Sequence, residues 1–182
     1  MPNSEMPKVV ILIGPPGAGK SAQAEIMSHV DGWRHISTGQ LLRSKRPDLA
    51  KKMATGELID TEDVQNALES AMAEMPPDES IILDGFPRTP EQAAWLDRHI
   101  TAWGREFGGL VEIRVGDDVA ASRLSTRGRL DDNEDVVRRR LELYEEDVAP
   151  VVDYYSRRGK LHRVDGVGTV EEVHQRIKEA IG

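Results

Sequence analysis

The chain has 182 residues, with 24 Lys+Arg against 32 Asp+Glu and a formal net charge of −8. That balance argues against nucleic acid or an acidic membrane surface as the main partner, and the absence of cysteine excludes disulfides and cysteine-ligated zinc. One compact domain fits this length, no apolar run approaches the roughly 18–20 residues of a membrane span, and the start lacks signal-peptide regions, so the expectation is a soluble, intracellular protein.

The first predicted element is a strand over Val9–Ile13, followed at once by Gly14-Pro-Pro-Gly17-Ala-Gly19-Lys20-Ser21. This octet fits the phosphate-binding pattern G-x-x-x-x-G-K-[ST]. A buried strand ends, a glycine-rich loop turns its N–H groups inward, and a helix begins near Gly19. The helix N-terminus adds positive potential, Lys20 can reach β- and γ-phosphates, and the Ser21 hydroxyl is placed for Mg²⁺. A second strand is expected over Arg34–Ile36. From Thr38 to Pro77 the pattern is helical, with segments at Leu41–Arg46, Asp48–Thr55 and Thr61–Met75. Such an insertion is either scaffold or the wall of a second substrate site.

The third strand, Ser80–Leu83, ends at Asp84, the pattern of an acidic group that orients Mg²⁺ or its waters. Arg88 follows, and Thr89-Pro90-Glu91-Gln92 reads as a capping box with proline at the first helical position. Strands are further expected at Leu110–Val115 and Lys160–Val164, with a second capping box at Thr169–Glu172 and a helix-ending glycine at Gly159, as at Gly56. Alternation of short apolar strands with helices predicts a three-layer α/β fold, a five-stranded parallel sheet with helices on both faces and no second domain. Ligands then gather at the C-terminal ends of the strands.

Arginines are the other strong signal. Arg123 and Arg127 are spaced to share one helix face, and Arg127-Gly128-Arg129 forms a basic loop before the helix that carries Arg138 to Arg140. Arg138 and Arg139 read as a solvated face. Fixed guanidiniums beside a phosphate loop suit the spread negative charge of a phosphoryl group in transfer. The five histidines have no ligand spacing, and no general base is evident. Transfer between phosphates needs none, because the acceptor oxygen is already anionic.

Taken together, Gly14–Ser21, Ile36–Arg43, Gly56–Ile59, Asp84–Gln92, Arg129–Asn133, the Arg140 helix, Pro150–Tyr155 and Val164–Gly168 resemble the nucleoside monophosphate kinases. Within them the chain is most similar to the short-form adenylate kinases, nearly end to end from Lys8 to about Ile181. The resemblance implies a P-loop NTPase-type core, a helical NMP-binding part over about residues 37–66 and a minimal lid over about 127–133. It implies Mg·ATP + AMP ⇌ 2 ADP, in a cytoplasmic monomer with ATP, AMP and ADP as partners and Mg²⁺ but no zinc. ATP would be held by the loop residues Gly14, Pro15, Pro16, Gly17, Ala18, Gly19, Lys20, Ser21 and Ala22, with Arg123, Arg127 and the Val167–Gly168 backbone around its base and phosphates. AMP would be held by Thr38, Gly39, Arg43, Gly85, Arg88 and Gln92, walled by Gly56, Glu57, Leu58 and Ile59, with Arg129 and Arg140 at its phosphate. Lys20, Arg88, Arg127, Arg129 and Arg140 would surround the transferred phosphoryl, Ser21 and Asp84 would serve Mg²⁺ directly or through water, and Asp131 and Asp132 would pair within the lid.

Three positions depart from the family pattern. Ser21-Ala22 stands where Gly-Thr is usual, Gln40 replaces an aspartate, and one glycine, Gly128, separates the two lid arginines. Thr38 and Gln92 favour an adenine acceptor over a pyrimidine. A kinase for UMP, CMP or dAMP is the alternative within enzymes. A nucleotide switch is the alternative outside them, and it lacks the guanine-specifying Asn-Lys-x-Asp string.

Overall fold

The computed structural model describes residues 6–49, 59–126 and 134–182, with side chains except at 125–126, 134–143 and 145. Five parallel strands form one sheet: β1 (Lys8–Ile13), β2 (Arg34–Ser37), β3 (Ile81–Asp84), β4 (Glu106–Arg114) and β5 (Leu161–Asp165), in the order β2-β3-β1-β4-β5. The helices are α1 (Lys20–Val30), α2 (Thr38–Lys45), α3 (Thr61–Ala73), α4 (Pro90–Ala102), α5 (Asp117–Thr126), α6 (Glu134–Ser156) and α7 (Val170–Ile181).

β1 is central because both its faces are apolar, as a parallel strand covered on both sides requires. Alternation sends Val9 and Ile11 into one core with Leu83, Leu96, Ile100, Val151 and Tyr155, beneath α4 and α6. Val10 and Leu12 go to the other, with Met27, Ile82, Val111, Val173 and Ile177, beneath α1 and α7. A separate small cluster of Leu42, Leu49 and Ala67, with Ile59 and Val64 against it, joins α2 to α3. The helical excursion therefore has a small core of its own, while Leu68 and Met72 of α3 anchor it in the first core.

Registry sets the site. Leu12 and Ser37 both pair with Asp84, so the ends of β1, β2 and β3 lie level and their loops emerge together.

Several predicted boundaries move. β4 begins at Glu106, four residues before the expected Leu110, and ends before Val115. The Gly108-Gly109 pair looks like a turn in sequence, yet it lies in the strand, where the β1 register shifts between Val9 and Val10. Gly109 has φ +122, and a β-carbon there would meet the His162 ring. α2 starts at Thr38, three residues before the expected Leu41, directly out of β2. α3 ends at Ala73. Residues 47–49 are helical, and the rest of the expected Asp48–Thr55 helix, with Gly56, lies outside the described residues. Thr169 and Glu172 form the reciprocal capping box. At α4 the box is half made: Thr89 accepts from the Gln92 N–H, but the Gln92 side chain goes elsewhere.

Candidate active site

The loop after β1 is shaped by what it rests on. Gly17 has φ +85, and a β-carbon there would lie 2.6 Å from the Ala120 carbonyl oxygen of α5. A β-carbon at Gly14 would lie 2.8 Å from the Ile113 carbonyl oxygen. Only glycine lets the loop sit this low on β4 and α5. Gly19, at φ +97, is the N-cap of α1 and supplies no side-chain cap to the first-turn N–H groups of this helix.

Lys20 Nζ bends back over the loop and donates to the carbonyls of Gly14 at 2.5 Å and Pro15 at 3.3 Å. Arg123, from α5, donates to the carbonyls of Gly17 and Ala18, both at 3.4 Å, and to that of Gly166 at 3.0 Å. It thereby joins the phosphate loop to the β5–α7 turn, where Val167 is 47% exposed beside Gly168.

Two recesses meet at Lys20. One, of about 290 Å³, is lined by Pro16, Gly17, Gly19, Lys20, Ser21, Ala22 and Arg123. The larger, of about 690 Å³, includes Gly14, Lys20, Asp84, Gly85, Arg88, Tyr144 and Asp147 in its walls. Pro16 and Lys20 line both.

On the wall of the larger recess, Thr38 Oγ1 donates to the Asp84 carbonyl at 3.2 Å. Gly85, at φ +86, leaves room for it, since a β-carbon there would stand 2.8 Å from that hydroxyl oxygen. Arg88 Nε donates to the Gly85 carbonyl at 3.1 Å. Gln92 is buried and fully engaged: its Oε1 accepts from the Arg88 N–H at 2.7 Å, and its Nε2 donates to Thr61 Oγ1 at 3.0 Å. Arg43 lies in the last turn of α2, its guanidinium over Gly39. The neighbouring Glu91 carboxyl is held below the usual carboxylate range by its own N–H and by the Thr89 hydroxyl.

The adenylate kinase family model matches residues 12–160. The chain belongs to the adenylate kinase family. Adenylate kinase 1 of a Nostoc species is 41% identical over 180 residues, covering 95% of this chain and 98% of that protein. Adenylate kinase of Thermus thermophilus is 40% identical over 186 residues, covering 96% and 97%. Adenylate kinase of Corynebacterium glutamicum is 38% identical over 180 residues, covering 95% and 98%.

Among the expected adenylate kinase site residues, those described gather as two sets. Pro16, Gly17, Gly19, Lys20, Ser21, Ala22 and Arg123 surround the smaller recess; Gly14, Asp84, Gly85 and Arg88 line the larger one, with Thr38 and Gln92 bonded directly behind it; Pro15, Ala18, Gly39, Arg43, Val167 and Gly168 line neither. Ile59 turns instead into the small α2–α3 core. Gly56, Glu57, Leu58, Arg127, Arg129, Asp131 and Asp132 lie outside the described residues, and Arg140 is placed only as a backbone position on α6.

Mg²⁺ wants oxygen ligands, few of them from protein. Ser21 and Asp84 offer a hydroxyl and a carboxylate on either side of Lys20, and no hydrogen bond or ion pair among the described residues engages the Asp84 carboxylate. No group of three or more His, Asp or Glu side chains among the described residues could hold a metal by itself. The donors fit a cation that arrives on a nucleotide. Sequence reasoning missed Tyr144 and Asp147, whose spacing with Val148 and Val151 along α6 places one helical stripe on the larger recess.

Proposed function

We propose that the chain catalyses reversible transfer of the γ-phosphoryl of Mg·ATP to AMP, giving two ADP. The observation that carries this reading is the pair of recesses sharing Lys20: one built from the phosphate loop, the other from the Asp84–Arg88 turn and α6. A hydrolase needs only the first. A transferase needs both, opening onto one cationic group.

In this reading the donor triphosphate lies on the loop N–H groups and α1, with its base between Arg123 and the Val167–Gly168 backbone. AMP lies against Thr38, Gly39, Arg43, Gly85 and Arg88, its base exchanging with Thr61 for the Gln92 amide donor. Lys20 gives up its carbonyl partners to the phosphates, and with Arg88, Arg127, Arg129 and Arg140 balances charge on the equatorial oxygens. Ser21 and Asp84 would hold Mg²⁺ directly or through water, and the ion would supply charge neutralisation to the phosphates. Closure of the α2–α3 unit over residues 37–66 and of a lid over 127–133, with Asp131 and Asp132 pairing inside it, excludes water as a competing acceptor. We read the chain as a cytoplasmic monomer; among the described residues no helix is long and apolar enough to cross a membrane.

The test is coupled ADP formation with Mg·ATP and, separately, AMP, dAMP, CMP, UMP and GMP. A strong preference for AMP is expected, together with much tighter binding of two adenosines joined by five phosphates than of ATP. ADP formed equally fast without any monophosphate would mean hydrolysis and would remove the two-site reading.

A further inference from the structure

The turn between β5 and α7 is short and exposed, yet almost every backbone polar group in it is fixed. The Gly166 N–H donates to the Arg114 carbonyl at 2.8 Å, and the Gly166 carbonyl accepts from Arg123. The Val167 N–H donates to the Asp165 carboxylate at 2.9 Å, and the Thr169 N–H to Glu172 at 2.8 Å. Two further carbonyls, of Asp165 and Val167, accept from one guanidinium nitrogen, Nη1 of Arg176, at 2.8 and 2.6 Å. Arg176 is on the second turn of α7 and reaches back along it. Gly168, at φ +128, is left with neither its N–H nor its carbonyl engaged among the described residues.

Two carbonyls converging on one side of a turn repel each other and would splay without a cation between them. Arg176 supplies that cation through charge-assisted hydrogen bonds. It satisfies the acceptors on either side of Gly166, so the N–H and carbonyl of Gly168 are the donor and acceptor of the turn that remain for a ligand. A 6-aminopurine edge, with an amine donor beside a ring-nitrogen acceptor, matches that pair.

We propose that Arg176 is a positioning residue for the donor nucleotide, holding the 165–169 turn in the form that receives the purine. This rests on the reading of Arg123 and the Val167–Gly168 backbone as the donor base site. Arg176 lies on α7, outside the groups assigned to the phosphates, and acts through the turn.

The test is steady-state kinetics of the full chain with ATP or GTP as donor and AMP as acceptor, for wild type, Arg176→Met, Arg176→Lys and Arg123→Ala, with a thermal melt of each. Arg176→Met is expected to raise the KM for ATP about five- to tenfold, roughly one charged hydrogen bond, leaving kcat and the KM for AMP within about twofold. The ATP-over-GTP preference should fall by a similar factor. Arg176→Lys should recover most of the loss, because an ammonium has donors enough for both carbonyls. An unchanged KM for ATP in Arg176→Met, with a raised one in Arg123→Ala, overturns the role of Arg176 and keeps the base site. Unchanged values in both variants remove the base-site reading and this inference with it. Equal losses in kcat and both KM values, tracking a lower melting temperature, would make Arg176 a purely structural cap.

Discussion

Arg88 and Gly85 show how little each position leaves to choice. The Arg88 side chain is held by the Gly85 carbonyl alone among its described side-chain partners, so it can turn to a phosphate at small cost. Arg88→Ala is expected to lower kcat about 10²–10³-fold, the size of one lost transition-state donor, with an unchanged melting temperature; near-normal turnover would take Arg88 out of the mechanism. Gly85→Ala fails differently. It forces a β-carbon at φ +86 and pushes Thr38 off the Asp84 carbonyl, which together cost about 2–3 kcal/mol. Denaturant unfolding should show that loss, with a raised KM for AMP. Arg105 carries a related lesson. It is 3% exposed and donates to the carbonyls of Glu79, Trp103 and Pro76, yet in sequence it is one charged residue between Gly104 and Glu106, with nothing to mark it as interior.

Between helices, two ties set the geometry of the site. Asp97 of α4 accepts from both Tyr154 and Tyr155 of α6, at 2.9 and 3.1 Å, and Tyr155 is fully buried, its phenol pushed far up by that burial and then by Asp97. Asp97→Ala leaves two hydroxyls without an acceptor and should destabilise by about 2–4 kcal/mol, read by denaturant unfolding; a loss under about 0.5 kcal/mol would mean the tie is incidental. In the α2–α3 unit, ions add to the small apolar cluster. Arg46 grips Asp48 with two bonds and Asp63 with a third. Arg46 holds the Asp48 carboxyl at about 2, below its ordinary 3.8. A depressed carboxyl stabilises the fold above its unfolded value and loses that contribution as pH falls through its folded value. The melting-temperature gap between wild type and Asp48→Asn should therefore be constant above about pH 5 and close between about pH 4 and 2. It should also shrink with salt, since the pair is exposed. A gap that persists at the lowest pH would assign it to something other than charge.

The proposed closure divides the whole molecule into a frame and moving parts. β1 and β3 lie under both cores, while the α2–α3 unit has a small core of its own and joins the first through Leu68 and Met72. Hydrogen exchange should separate them: saturation with both nucleotides should slow exchange in α2, α3 and α5, while β1 and β3 exchange only through global unfolding with or without ligand. Equal protection everywhere would deny independent closure. The frame was legible in sequence because apolar runs and the phosphate loop are local signals. β4 was half legible, its first residues masked by Gly108-Gly109. The α6 side of the larger recess was not legible, because Tyr144, Asp147, Val148 and Val151 read as an ordinary core stripe until α6 is packed against β1 and the Asp84 turn. Gln92 stood out in sequence as a candidate, but its engagement by Thr61 depends on where α3 comes to rest.

The contact of Gly17 with Ala120 gives α5 a mechanical meaning. The floor of the phosphate cradle is the back of this helix, and Arg123, nearly one turn further on, grips the cradle's carbonyls. α5 ends at Thr126, where the arginine-rich segment begins. α5 thus links the start of that segment to the cradle without crossing the sheet. Side chains at Gly14 or Gly17 are blocked by the Ile113 and Ala120 carbonyls, and Ala120 is itself fully buried, so neither face of this contact has room to change.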